Sequence, residues 1–480
     1  MNVSREEAIV ENFALMLLEK ICETEDFSTV ESHGIMQAMR LLCQGLERAY
    51  EHFDELIFRE RDLRFKSAGF EKRHVLTTAG LVMLKRRRYR SDIGSVYLLD
   101  EAVDLPAKVK ISPQLARMSA TFGTNTSFQE AADSLEYYIA SGLSKMTIAR
   151  LLKQNADLLE EVQTKELHPK IETPVLDVEA DGCFVPLQRT RAQKQADRVC
   201  GKKRKRAYKE VGMYSAFTGK ERVGTNRKKR CNVLHFATTD APKDAWDEFG
   251  NLLGRKYETQ NIYCTNLAAD GDVSYLNGAR VLFGEVSVGY DLHHIPTSIA
   301  QTLGVDIARE VYATMKEIGF SEGFDVLKTY ADDFFADTGH EKYVDIISFV
   351  QKHEGAMRVA FKYNLGTIEG TNAHIIGSRC KRFGGGWGPR LDPIVRLRAA
   401  FASGVRPGLA HRARKVSLPD IVKNRMLQEA QNYIATLEAR AKKNRSRISP
   451  SDFFPEYYHQ APIAHRSKNE RCYSLLKKWA

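Results

Sequence analysis

"PVLDVEADGCFVPL" spans residues 174–187, and its alternation decides the fold. Asp177, Glu179 and Asp181 take every second position, with Leu176, Val178 and Ala180 between them. Side chains on a strand alternate between faces, so the three acids share one face and the apolar residues line the other. Acids on one face of a strand in an apolar setting are costly unless they are paired or bind a cation. Two readings stay open at this point. The acids form a face set against the basic segment 198–206, or one of them holds a divalent metal.

Working outward, "VGMYSAF" (211–217) and "CNVLHFA" (231–237) read as strands, with the basic cluster Arg227–Arg230 between them. "NIYCTNLAAD" (261–270) reads as another strand, followed by a helix at 273–283 and a strand at 285–292. Three strands in sequence and then a strand–helix–strand unit predict an α/β protein with a mixed sheet. From 297 to 360 the chain turns helical, with Ile299, Leu303, Ile307, Val311 and Met315 recurring every four residues. A long helix near 418–443 ends among Lys442, Lys443, Arg445 and Arg447.

Upstream, 5–23 and 30–65 read as amphipathic helices. "HVLTTAGLVMLKRRRYR" (74–90) reads as a hairpin turning at Gly80. Its second strand carries Lys85, Arg86, Arg87, Arg88 and Arg90, and consecutive basic residues put charge on both faces. That strand is either a solvated edge or a phosphate-contacting one. Ser127-x-x-Glu130 is a capping box opening a helix at 127–139, and a second helix starts at Ser144. Helix, short glycine-containing turn, helix is the outline of a helix-turn-helix, with Lys145, Thr147 and Arg150 exposed on the second helix.

The chain carries a formal net charge of +11 over 480 residues. An excess of that size points to a polyanionic partner, most simply double-stranded DNA. The eight cysteines include no C-x-x-C pair, which argues against a zinc ribbon and for reduced thiols. The N-terminal residues do not form a secretion signal, and no run approaches 18 apolar residues. The expectation is a cytoplasmic protein, nucleoid-associated in a bacterium, with no membrane partner.

Other acids stand where chemistry is done. Asp270 ends the strand 261–270 and Asp272 follows it after Gly271, where α/β sheets bind ligands. Glu369 is the one acid in "GTIEGTNAHIIGSRCKRFGGGWG" (366–388), in the first turn of a helix beginning after Gly366. Arg379, Lys381 and Arg382 surround it. Two aspartates on neighbouring strands and a glutamate from a helix are a hard-oxygen set for two Mg²⁺ or Mn²⁺ ions, the arrangement that serves phosphoryl displacement. In that case the basic residues hold a phosphodiester backbone and the lone carboxylate holds a metal.

The ordered motifs Asp181-Gly182, Asp270-Gly271, "DLHHI" (291–295) and "GTIEGTNAHIIGSRCKRFGGGW" (366–387) resemble those of bacterial insertion-sequence transposases of the Lre type. Those are related more distantly to Mutator-like DDE transposases. The likeness covers roughly residues 50–405. It implies a ribonuclease H-like mixed-sheet core at 170–405 with a helical insertion at about 297–360. A helical region (1–70), a hairpin and helix-turn-helix-like DNA-binding region (71–165) and a basic helical C-terminal region (406–480) would flank that core. By motif position it implies Asp181, Asp270 and Glu369 as catalytic, metal-binding acids. His294 matches a recurring histidine, and Asp177 and Asp272 compete for metal ligation. Asp291 stands where the distant relatives place a cysteine.

The implied activity is cleavage at terminal inverted repeats and strand transfer to target DNA, by at least a homodimer on DNA. Expected DNA contacts are Lys85, Arg86, Arg87, Arg88, Lys145, Arg150, Lys202, Lys203, Arg204, Lys205, Arg206, Arg379, Lys381 and Arg382. The rival readings are a ribonuclease H-like nuclease that does not join, and a DNA-binding protein without catalysis.

Overall fold

A computed structural model describes residues 5–406, apart from 25, 92–93, 106, 139–141, 168, 189, 201–206, 226–227, 270–272, 293, 340, 364 and 382–385. It also describes the isolated positions 428, 431, 432, 435 and 439. The expected helix at 418–443 and the tail therefore lie essentially outside the described residues. The chain forms two compact units. The first is built on the residues up to Leu115, with Leu135–Gly142; the second takes in Ala116–Ser134 and the chain from Leu143.

In the first unit the helices are Arg5–Thr24 and Phe27–Glu60. Asp26 caps the second, its carboxylate accepting from the Thr29 N–H at 2.8 Å. Strands β1 (Lys66–Thr77) and β2 (Gly80–Ser91) form the expected antiparallel hairpin, with β3 (Gly94–Val96) alongside β2. Gly80 takes φ +132°, which serves the two-residue turn.

The basic stretch of β2 is not a solvated stripe. Arg86 is buried and ion-paired with Asp100, which also accepts from Arg73 at 2.7 Å. Arg87 reaches the opposite face, where Asp54 of the long helix accepts from its Nη1 at 2.9 Å and Glu55 pairs with its Nη2. Carboxylates on both sides thus pair two of its five cations, which the expectation from its charge did not include. Lys85, Arg88 and Arg90 stay exposed.

The second unit holds a five-stranded mixed sheet. Its strands are β4 (Val175–Pro186), β5 (Tyr208–Phe217), β8 (Leu234–Thr238), β9 (Cys264–Ala269) and β10 (Ser287–Tyr290). A small ribbon of β6 (Lys220–Arg222) and β7 (Lys228–Arg230) lies between β5 and β8 in sequence. The order across the sheet is β10-β9-β4-β5-β8. β4, β5 and β8 pair antiparallel, whereas β9 and β10 run parallel to β4. This is the mixed sheet the sequence predicts, with the acidic strand β4 at its centre.

The even-numbered face of β4 packs as expected. Leu176, Val178 and Ala180 are fully buried in one core with Leu234, Leu267, Trp246, Phe249 and Ile394. The helix Pro242–Lys256 connects β8 to β9, and Val273–Phe283 connects β9 to β10. After β10 come helices His294–Leu303, Val305–Glu317, Phe320–Thr338 and Lys342–Tyr363, which enclose a separate core including Ile299, Val311, Leu327 and Val350. The four-residue repeat from Ile299 to Met315 runs through a break. Gly304, at φ +98°, ends one helix and starts the next.

Both expected helix starts upstream are built as read. Ser127 and Glu130 cap the helix Phe128–Tyr138 reciprocally, at 2.8 and 3.1 Å. Ser144 caps Lys145–Asp157 through the Thr147 N–H at 3.2 Å. Lys145 and Arg150 are exposed.

Candidate active site

The odd-numbered face of β4 carries Asp177, Glu179, Asp181 and Cys183, and all four are buried. What covers this face is the segment that follows Tyr363. Gly366 and Thr367 form a turn, the helix Ile368–Asn372 follows, and a π-helical turn at Ala373–Gly377 leads into Ser378–Cys380. Glu369 therefore sits in the first helical turn, as its motif suggested.

Glu179 fastens this segment to the sheet. Its carboxylate is fully buried and accepts from the Gly366 N–H at 3.1 Å and from the Thr367 N–H at 3.2 Å. The Thr367 hydroxyl donates to both its oxygens, at 3.0 and 2.7 Å. Arg230 of β7 lies 3.4 Å away and also donates to the Thr371 hydroxyl; Lys220 of β6 lies 4.0 Å away. Burial lowers the proton affinity of both cations, and the Glu179 charge opposes that effect. The acidic face is thus matched by basic residues, but by the β6–β7 ribbon. The basic run at 202–206 (Lys202, Lys203, Arg204, Lys205, Arg206) lies outside the described residues.

Gly366 meets a second constraint. It takes φ +94°, and a Cβ there would lie 2.4 Å from both Asp291 Oδ1 and Leu292 N. The "DLHHI" motif is thereby packed against the turn that leads to Glu369. Asp291 is fully buried, accepts from the His294 N–H through its carbonyl at 3.1 Å, and lies 3.8 Å from His294 Nε2. His294 itself is half-buried at the start of its helix. Gly366→Ala is expected to cost at least about 1–3 kcal/mol from the left-handed backbone alone, with the clash added. A thermal melt of the variant within a degree of wild type would contradict this packing.

The helix that bears Glu369 meets Asp181. Asn372 Nδ2 donates to Asp181 Oδ2 at 2.6 Å across 191 residues of sequence. Glu369 and Asn372 are three apart on one helix, so they share the face turned to β4. The Cys183 thiol feels both acids: burial pushes it up, the hydrogen-bonded Lys381 pulls it down, and the Asp181 and Glu369 charges push it up again. Lys381 is exposed.

Asp177 sits further along the same face, held by Asn266 Nδ2 at 2.8 Å. Burial raises its pKa, the Asn266 hydrogen bond and the Lys220 charge lower it, and the net shift is upward. The unfolded carboxylate then loses its proton at a lower pH than the folded one. Stability contributed by protonated Asp177 is therefore lost as pH rises from the unfolded value, about 3.9, through the raised folded one. Asp177→Asn keeps an acceptor for Asn266 and removes that loss. The variant is expected to be at least as stable as wild type at pH 7. A lower midpoint in urea unfolding at that pH would contradict this.

Asp270 and Asp272 lie outside the described residues; β9 is described up to Ala269, the neighbour of Asp270. Among the described residues no group of three or more His, Cys, Asp or Glu side chains is arranged to hold a metal ion. Two of the three expected acids are in that set. The seven described cysteines are all free thiols. No helix among the described residues is long and apolar enough to cross a membrane.

The expected cationic contacts divide. Arg379 is buried, its guanidinium 4.8 Å from the Trp387 ring centroid and 5.8 Å from that of Phe128, so its role is in packing. Arg382 lies outside the described residues. Exposed cations that the sequence reading did not single out include Arg191 and Lys194 on the helix Arg191–Val199, and Lys209 at the start of β5. A cavity of about 360 Å³ opens past the end of β4, lined in part by Gln188, Lys209, Trp387 and Asp392. It contains none of the expected acids.

Comparison with known proteins gives the chain its relatives. Over 383 residues it is 24% identical to the "UPF0236 protein in vanSb 3'region" of Streptococcus gallolyticus, covering 77% of this chain and 81% of that protein. The family model that matches spans residues 24–306, more than half of the chain, which takes in Asp181, Asp270 and the "DLHHI" motif and ends before Glu369. The chain belongs to the uncharacterised protein family UPF0236.

Proposed function

We propose that this protein is a DDE-type transposase, whose sheet-containing unit is a ribonuclease H-like catalytic core. The observation that carries the reading is the meeting of Asp181, on the central strand, with the helix bearing Glu369, 191 residues further on at Asn372. The sheet order supports it: three antiparallel strands, then two parallel strands beside the first, with the acidic strand in the middle. The helices between β10 and Glu369 correspond to the insertion that the motif resemblance implies.

The donor set fits a hard divalent cation, since Asp181 and Glu369 offer carboxylate oxygens. Asp181, Glu369 and Asp270 would hold Mg²⁺ or Mn²⁺, two ions in all, which supply an activated water or 3′-hydroxyl and neutralise the leaving oxygen. The chain's own residues position and balance charge. Glu179 and Asp291 fix the Gly366–Thr367 turn, and with it the direction of Glu369. Lys381 meets the phosphodiester at the mouth of the site. Water attacks the phosphorus at the element end, the P–O3′ bond breaks and a 3′-hydroxyl leaves. That hydroxyl then attacks a target phosphate, displacing another 3′-oxygen, with no covalent enzyme intermediate. Exposed Lys85, Arg88, Lys145 and Arg150 are the described candidates for backbone contact.

The test is a labelled duplex carrying the element's terminal sequence, incubated with protein, Mn²⁺ or Mg²⁺ and a target plasmid. Label joined to the plasmid supports a transposase. Cutting without joining supports a nuclease. Binding without any cutting supports a DNA-binding protein.

A further inference from the structure

We propose that Asn372 is a further ligand of the cation site, its side-chain Oδ1 adding a neutral oxygen beside Asp181 and Glu369. The inference rests on the divalent-cation reading above and goes beyond its three acids.

The Asn372 side chain is only 3% exposed. Its Nδ2 is committed to Asp181 Oδ2 at 2.6 Å, whereas its Oδ1 is buried with no hydrogen-bond partner among the described residues. An amide oxygen left in that condition is costly, and such a group in a folded protein calls for an occupant. The opposite amide orientation would set two oxygens against each other at Asp181, so the hydrogen bond itself fixes which end is free. The unsatisfied oxygen therefore belongs to the same side chain that holds Asp181, on the same helix face as Glu369.

Amide carbonyl oxygens are ordinary ligands for hard divalent ions. A neutral oxygen also adds coordination without adding negative charge to a buried place that already holds Asp181. The helix geometry agrees: Asn372 is the last residue before the π-helical turn at Ala373–Gly377. Such turns occur often at functional sites.

The rival role is a clamp, in which only Nδ2 matters and Asn372 acts by orienting Asp181. The test separates the two. Mn²⁺ binding to the intact chain without DNA is measured by calorimetry for wild type, Asn372→Ala and Glu369→Gln. The Mn²⁺ complex of wild type labelled with ¹³C in the asparagine side-chain carbonyl is then examined by electron–nuclear double resonance. The expected result is affinity about 10–100-fold weaker in Asn372→Ala, together with a strong ¹³C coupling from a directly bound amide. Unchanged affinity in Asn372→Ala overturns the proposal. So does weakened affinity with no ¹³C coupling in wild type, which makes Asn372 a clamp. The resonance measurement needs no variant and decides the matter even where Asn372→Ala fails to fold. Absence of Mn²⁺ binding by wild type, or full affinity in Glu369→Gln, overturns the cation reading itself and this proposal with it.

Discussion

Glu179→Ala is expected to destabilise the sheet-containing unit by about 3–5 kcal/mol, the cost of removing one partner from a buried ionic network. Arg230 and Lys220 would lose their counter-charge, and the Gly366 and Thr367 N–H groups would lose their acceptor. Glu179→Gln should cost less, because it keeps an acceptor oxygen for the turn while losing the charge. Trp246 and Trp387 are buried in this unit, so tryptophan fluorescence during urea unfolding reports it. A midpoint for Glu179→Ala equal to that of wild type would mean that the turn is held by something other than Glu179.

The second large effect concerns chemistry. Glu369→Gln and Asp181→Asn are each expected to reduce strand cleavage by several kcal/mol of barrier, on the order of a thousandfold. DNA binding should survive, since it rests on cations spread over the surface and on counterion release. Glu369 is half-buried in the first helical turn, and among the described residues its carboxylate has none of the hydrogen bonds that hold Glu179. Its replacement should therefore leave the fold intact. That contrast separates the two glutamates: loss of Glu179 acts first on stability, loss of Glu369 on rate.

Local pattern carried most of the fold. The alternation at 174–187 placed β4, and the capping boxes and apolar spacing placed the helices, because each of these signals lies within a few residues. What escaped was pairing across long distances. Nothing near Glu179 in sequence announces that Gly366, 187 positions on, will donate to it. Nothing near Arg86 and Arg87 announces Asp100 and Asp54, so a strand rich in cations looked solvated. The break at Gly304 was hidden because the apolar period continues through it. At the candidate site, the strand face that carries Glu179 and Asp181 and the helical turn that carries Glu369 were legible. The partners of Glu179 and Asp291, and the place of Asn372, were not, since they depend on what the fold sets opposite them.

The most direct measurement follows a labelled duplex bearing the element's terminal sequence, with Mn²⁺, in the presence of wild type or Glu369→Gln. The expected result is metal-dependent cutting at the element end by wild type, and bound but uncut DNA with Glu369→Gln. Cutting by Glu369→Gln at the wild-type rate would contradict it.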